Sequence, residues 1–299
     1  RSITSPAGTA DAVETIMRVD FTSDQIKEMV KKNNACLVWG GALKLAPADD
    51  IIIHITRALG IEPYSKMIIS VMAKKVAMGI KHLVIDIPVA KGAKIKDIKT
   101  AKKIEKLFMF LANKFNIKTK VIISKSFGPI GRGVGPAIEM RDVMRVLQQK
   151  EDRPFDLENK AVKLSGAILE MTGVARRGKG EEMARINLKN GLAFQKMIDI
   201  IHSQNGNENI DSEDIQIGQY SYEYIAKEKG VVKSINNADI VELCSLLGTP
   251  QLKGSGIYLN KNVSEKYVKG DVLFTMYSES EQRLNLAKEA LEKLNTIYL

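Results

Sequence analysis

Ser70 and Lys74 stand four residues apart in the segment Ser65–Met78, so on a helix they share one side, one turn apart. A small hydroxyl and a long ammonium at that spacing suit the polar edge of a planar ligand. An acid, Glu62, lies just upstream. The alternative is that Lys74 and Lys75 simply solvate an amphipathic helix. A second candidate is the opening stretch SITSPAGTAD, where a loop rich in Ser and Thr runs toward a helix. Thr9 is expected to cap a helix starting at Ala10, and such a junction is also a ready anion site. Asp11 in the same turn argues against a dianion there, so capping and phosphate binding both stay open. A third is Gly131, Gly133 and Gly135, spaced G-x-G-x-G rather than as a dinucleotide loop. Such glycines allow close backbone approach or leave carbonyls to coordinate a cation. His54, His82 and His202 lack any motif around them and are read as structural. Trp39 is read as core.

The elements that must position these residues follow from periodicity. Pro63 can open a helix, with Ile68, Ile69, Met72, Val76 and Ala77 as its apolar stripe and Gly79 as its stop. His82–Val89 is apolar enough for a strand buried on both faces, Ile98–Asn116 is amphipathic, and Lys120–Ser124 is a short strand. Strand, helix, strand at this spacing predicts a βαβ unit. Strands are also predicted at Ala35–Gly41 and Ile51–Thr56. Helices are predicted at Thr22–Lys32, Ile138–Gln148, Leu157–Gly173 and from Gly180 to about His202. The polar stretch Ser203–Glu213 is the best boundary. Beyond it, strands at Ile215–Tyr222, Gly230–Ile235 and Val272–Tyr277 alternate with helices at Ala238–Leu247 and Glu279–Leu294. The expected fold is α/β: a mixed, mostly parallel sheet covered by helices, with a small helical lobe and a C-terminal α+β domain. The core takes residues 1–49 and 81–208, the lobe 50–80, and the last domain 209–299.

The chain has 299 residues, a net charge of +10 and 6% aromatic residues. We read the positive excess as spread along the chain, a solvated surface that favours anionic substrates, with no basic–aromatic surface for nucleic acid. Cys36 and Cys244 suggest neither a disulfide framework nor a zinc site. With no membrane-length apolar run and no signal peptide, a cytoplasmic protein is expected. The sequence opens on Arg1 inside a turn-like segment, and we read that as the middle of a longer protein.

SITSPAGTAD, CLVWGGA, the S-x-x-x-K-K of the central helix with VIDIPV after it, and GPIGRGVGPAIEMRD together resemble the thymidine phosphorylase/AMP phosphorylase family. GVVKSINNADI, GSGIYL and YVKGDVLFT resemble that family's C-terminal domain. The resemblance runs in order along the whole chain and is nearest to the long-chain branch. It implies a pentosyltransferase that cleaves an N-glycosidic bond with inorganic phosphate as co-substrate and no organic cofactor. It further implies that Arg57, Ser70 and Lys74 grip the base, and that Thr9 contacts phosphate. Ser2, Ile3, Thr4, Ser5, Pro6 and Ala7 line the nucleotide pocket, and Lys94 contacts the ligand. Glu62 stands where the nucleotide-specific branch has an Asp that protonates the base. Carbonyls of Ile130 and Gly133 with the Asp142 carboxylate match a monovalent-cation site, expected to take K⁺. A homodimer is expected of the full-length protein. The family's glycine-rich phosphate loop, with its Lys and Ser, is not in this sequence, so little activity is expected of this polypeptide alone. Thymidine is our first substrate expectation, with AMP the rival, which would give ribose 1,5-bisphosphate. A catalytically inactive nucleotide-binding module is the alternative of another class.

Overall fold

A computed structural model of the chain describes residues 1–2, 6–43, 64–90, 95–294 and 297–298. Among these, α1 (Thr9–Val13) and α2 (Ser23–Asn33) precede α3 (Tyr64–Ala77), β1 (His82–Val89), α4 (Ile98–Lys114) and β2 (Lys118–Lys125). The βαβ unit forms as its periodicity predicts: β1 and β2 are parallel, in register from His82 opposite Lys118 to Val89 opposite Lys125. The Asp97 carboxylate caps α4 by accepting the Thr100 N–H at 2.8 Å. Ala101, Ile104, Phe108 and Ala112 of α4 then meet Leu83, Ile87 and Val89 of β1 in one core, which α3 joins through Ile68 and Met72. The expected α3 stripe is corrected at two places. Ile69 is 61% exposed and Ala77 is exposed, while Met67 and Val71 pack inward instead. The opposite face of β1 is only half-buried and carries Asp86, which pairs with Lys160 and accepts the Ser124 hydroxyl at 3.2 Å.

The chain continues through β3 (Gly133–Val134), α5 (Pro136–Leu147), α6 (Phe155–Met171), α7 (Gly180–Lys189) and α8 (Leu192–Ser203). The helix expected to run unbroken to His202 is two helices, because Gly191 turns left-handed at φ 73° between them. Buried residues of α1, α5 and α8, among them Val13, Met140 and Ile201, form a second core with Trp39 at its margin. The strand expected at Ala35–Gly41 has no ladder partner. The Gln204 side chain instead accepts the Leu37 N–H at 2.7 Å and donates to the Leu37 carbonyl at 2.8 Å. Trp39 N–H donates to the Val19 carbonyl at 2.9 Å. A buried side-chain amide thus satisfies backbone groups that a neighbouring strand would otherwise take.

The C-terminal part holds β4 (Tyr220–Ile225), β5 (Gly230–Val231), β6 (Ser234–Ile235) and α9 (Asn237–Leu247). It continues with β7 (Gly256–Leu259), β8 (Lys266–Tyr267), β9 (Val272–Ser278), α10 (Glu281–Leu291) and β10 (Ile297–Tyr298). Its four-stranded antiparallel sheet has the order β3-β7-β9-β4, so the glycine-rich stretch supplies an edge strand to it. α9 and α10 cover that sheet through Leu243, Leu247, Ala287 and Leu291. The molecule is α/β in class. Cys36 and Cys244 are free thiols.

Candidate functional site

The opening loop closes on one carboxylate. Asp11 is 2% exposed, and its Oδ2 accepts the Ser2 N–H at 2.6 Å and the Gly8 N–H at 3.0 Å. Gly8, not Thr9, is the N-cap, and Thr9 opens α1 with its residue exposed. The sequence expectation is corrected by one position because the Asp11 side chain, rather than a threonine hydroxyl, takes the cap amide. With only five residues α1 adds little dipole, so an anion here must be held by hydroxyls and amides. Pro6 and Ala7 are buried in the loop. Burial alone raises the Asp11 carboxyl. The hydrogen bonds from Ser2 and Gly8 and the Lys253 ammonium outweigh it and hold the group below the usual range. Arg1 hydrogen-bonds Glu14 and takes its pKa down to about 2.

The glycine turn closes on a second carboxylate. Asp142, on α5 and 2% exposed, accepts the Arg132 N–H at 2.6 Å and the Gly133 N–H at 2.7 Å, both at Oδ2. Its Oδ1 is buried without a hydrogen-bond partner, and the nearest charged group is Arg145 Nη1 at 3.8 Å. Burial pushes the Asp142 carboxyl up in spite of the two amides. Gly131, at φ 82°, allows the close approach: a Cβ there would lie 2.9 Å from Asp142 Oδ2. Ile130 sits on the exposed rim of the same turn. Glu139, one turn before Asp142, accepts the Gly135 N–H at 3.1 Å, and burial raises its pKa to about 7. Sequence reasoning passed over Glu139 and Lys253. The signal for Glu139 was an acid in the first turn of a helix that starts from a run of glycines. Lys253 gave none, because its partners lie more than 200 residues away.

Ser70 and Lys74 are both half-buried on α3, one turn apart as the spacing predicts. α3 packs on α4, whereas α1 packs on α5, so the structure sets these two residues and the opening loop on different cores. Near the β-unit, a cavity of about 890 Å³ opens at the carboxyl ends of β1 and β2. Val89, Ala90, Lys96, Lys125 and Ser126 line one side and Ser234–Asn237 the other. That end of a parallel sheet is where open α/β folds bind ligands. Ile3, Thr4, Ser5, Arg57, Glu62 and Lys94 lie outside the described residues.

A parallel-stranded α/β unit with its cavity at the strand ends, joined to an antiparallel α+β part, defines the class of this chain as an α/β protein. No family model matches it. It is 45% identical over 298 residues to the AMP phosphorylase of Methanocaldococcus jannaschii, which covers 100% of this chain and 58% of that protein. The AMP phosphorylase of Methanococcus maripaludis is 44% identical over 96% of this chain and 58% of its own length. That of Pyrococcus furiosus is 43% identical over 99% of this chain and 59% of its own length. The chain is thus similar along its length to curated AMP phosphorylases, and it spans about 58% of the length of the curated relatives it matches.

Among the described residues, no helix is long and apolar enough to cross a membrane. No group of three His, Cys, Asp or Glu side chains there could hold a metal ion.

Proposed function

We propose that this chain carries the nucleotide-handling part of an AMP phosphorylase, which takes AMP and inorganic phosphate to adenine and ribose 1,5-bisphosphate. The observation that carries the reading is the 45% identity to an AMP phosphorylase over 298 residues, a span that takes in the loop around Asp11 and the glycine turn. The relatives' names favour the nucleotide over thymidine, our first expectation. In the proposed reaction a phosphate oxygen forms a bond to C1′ as the C1′–N bond breaks, and Glu62 protonates the departing base. Arg57, Ser70 and Lys74 hold the base. Ser2–Ala7, Thr9 and Lys94 hold the phosphate groups. Fixing phosphate in line and stabilising the base as it leaves supply most of such a rate enhancement.

The cation expectation has a physical basis. Asp142 Oδ1 is a buried carboxylate oxygen with no hydrogen-bond donor and only a long ion pair to Arg145, at 3.8 Å, and a charge so weakly compensated is costly. Carbonyls of Ile130 and Gly133 with Asp142 would hold K⁺, which neutralises the carboxylate and ties the turn to α5. We keep the division into 1–49 with 81–208, 50–80 and 209–299, with closure between base-holding and phosphate-holding parts, as part of the proposal. A cytoplasmic homodimer belongs to the same reading.

Calorimetric titration with AMP and with thymidine tests the reading. AMP is expected to bind at least tenfold more tightly, since a 5′-phosphate adds charge-assisted hydrogen bonds. Thymidine binding as tightly as AMP would overturn it. Lys94→Ala is expected to weaken AMP alone; equal weakening of both ligands removes Lys94 as the reader of the 5′-phosphate.

A further inference from the structure

We propose that Lys253, from the C-terminal part of the chain, is a positioning residue for the two ends of the opening segment, keeping the Ser2 and Gly8 amides on Asp11. The inference rests on the nucleotide reading of that loop. Asp11 spends Oδ2 on two backbone amides, and its Oδ1 faces Lys253 Nζ at 3.2 Å. The same ammonium lies 2.8 Å from Glu14 Oε2. Lys253 is also fixed at its backbone, where its carbonyl accepts the Ala137 N–H at 3.0 Å in the first turn of α5. Its neighbour Gly254 donates to Glu279 Oε1 at 2.6 Å and accepts the Gly218 N–H at 2.8 Å. One residue therefore joins the loop, the start of the helix that bears Asp142, and the C-terminal part.

Arg1 cannot substitute. Its guanidinium stands 3.6 Å from Asp11, but it is hydrogen-bonded to Glu14 and stacked 4.9 Å over Trp39. Without Lys253, the buried Asp11 carboxylate keeps its two amides and loses its hydrogen-bonded cation. A charge left with only the longer Arg1 pair at a 2%-exposed position is relieved by opening the structure around it. Here the groups released are the Ser2 and Gly8 amides. Asp11 and Lys253 touch no ligand in this account; they act through the backbone of the loop.

The test uses amide exchange and AMP titration on Lys253→Met, Lys253→Arg and Asp11→Asn. In Lys253→Met the Ser2 and Gly8 amides are expected to exchange about tenfold faster, and AMP affinity to fall about tenfold, as for one lost charge-assisted hydrogen bond. Amides of β7 and β9 are expected to keep their protection, which shows that the fold is intact. Lys253→Arg is expected to restore most of both readouts. The double variant with Asp11→Asn is expected to be no weaker than the weaker single one, because the lysine acts through that carboxylate. Unchanged exchange in Lys253→Met, no rescue by arginine, or additive losses would each overturn the role. A wild-type chain that binds neither AMP nor phosphate overturns the nucleotide reading and the positioning role together. Wild-type binding that Lys253→Met leaves intact overturns only the lysine.

Discussion

The opening loop and the glycine turn are built alike and end differently. Each holds backbone amides on a buried aspartate borne by a helix, and each aspartate spends one oxygen on two amides. Asp11 gives its second oxygen to Lys253 at 3.2 Å, while Asp142 leaves its own without a donor, with Arg145 at 3.8 Å. The two carboxyls accordingly move in opposite directions, Asp11 below its ordinary value and Asp142 above it. Desolvation weighs more heavily on Asp142, which lies deeper, and only Asp11 adds a hydrogen-bonded ammonium to its two amides. Asp11 is paired with its cation at hydrogen-bond distance, and Asp142 only by the longer contact to Arg145.

The sharpest way to break this comparison is Asp142→Ala, which leaves the amides of Arg132 and Gly133 unsatisfied. A loss of about 3 kcal/mol in urea unfolding is expected. Glu139→Gln follows. A carboxyl raised to about 7 from 4.5 binds its proton more tightly in the folded state. Its stabilisation is therefore complete below pH 4.5 and is lost as pH rises through 7, by about 3 kcal/mol. The glutamine variant is expected to flatten that slope when unfolding is compared at pH 5 and pH 8; an unchanged slope removes Glu139 as its source.

Asparagine at the two aspartates tests the sign. Asp11→Asn loses a carboxylate whose pKa is held down, so at pH 7 it is expected to destabilise by about 1–2 kcal/mol. The loss disappears as pH falls through the folded pKa of Asp11. Asp142→Asn removes a charge that folding opposes, and in potassium-free buffer it is expected to be neutral or stabilising by about 1 kcal/mol. Equal effects at both sites would end the distinction. The smallest effect expected is a stabilisation of about 1 kcal/mol by K⁺ in the wild type, absent from Asp142→Asn.

Local pattern carried the reading where contacts are local. The βαβ unit from His82 to Lys125 was legible because period 3.6 and apolar strand runs need only neighbouring residues. So was the placing of Ser70 and Lys74 on one side of a helix. At Ala35–Gly41 the same reasoning failed, because an extended apolar segment looks alike whether a strand or Gln204 satisfies its backbone. Thr9 was misplaced by one residue since Asp11, two positions on, competes for the cap.

By itself the sequence determined the α/β class, the central βαβ unit, and the placing of Ser70 and Lys74 one turn apart on a helix. Tertiary structure alone decided that Gly133–Val134 joins the C-terminal sheet, that Lys253 reaches Asp11, and that Asp142 keeps an unmatched oxygen. Each of these pairs groups distant along the chain, or leaves one unpaired. Charge balance in a protein interior depends on which atoms meet there, and periodicity does not record it.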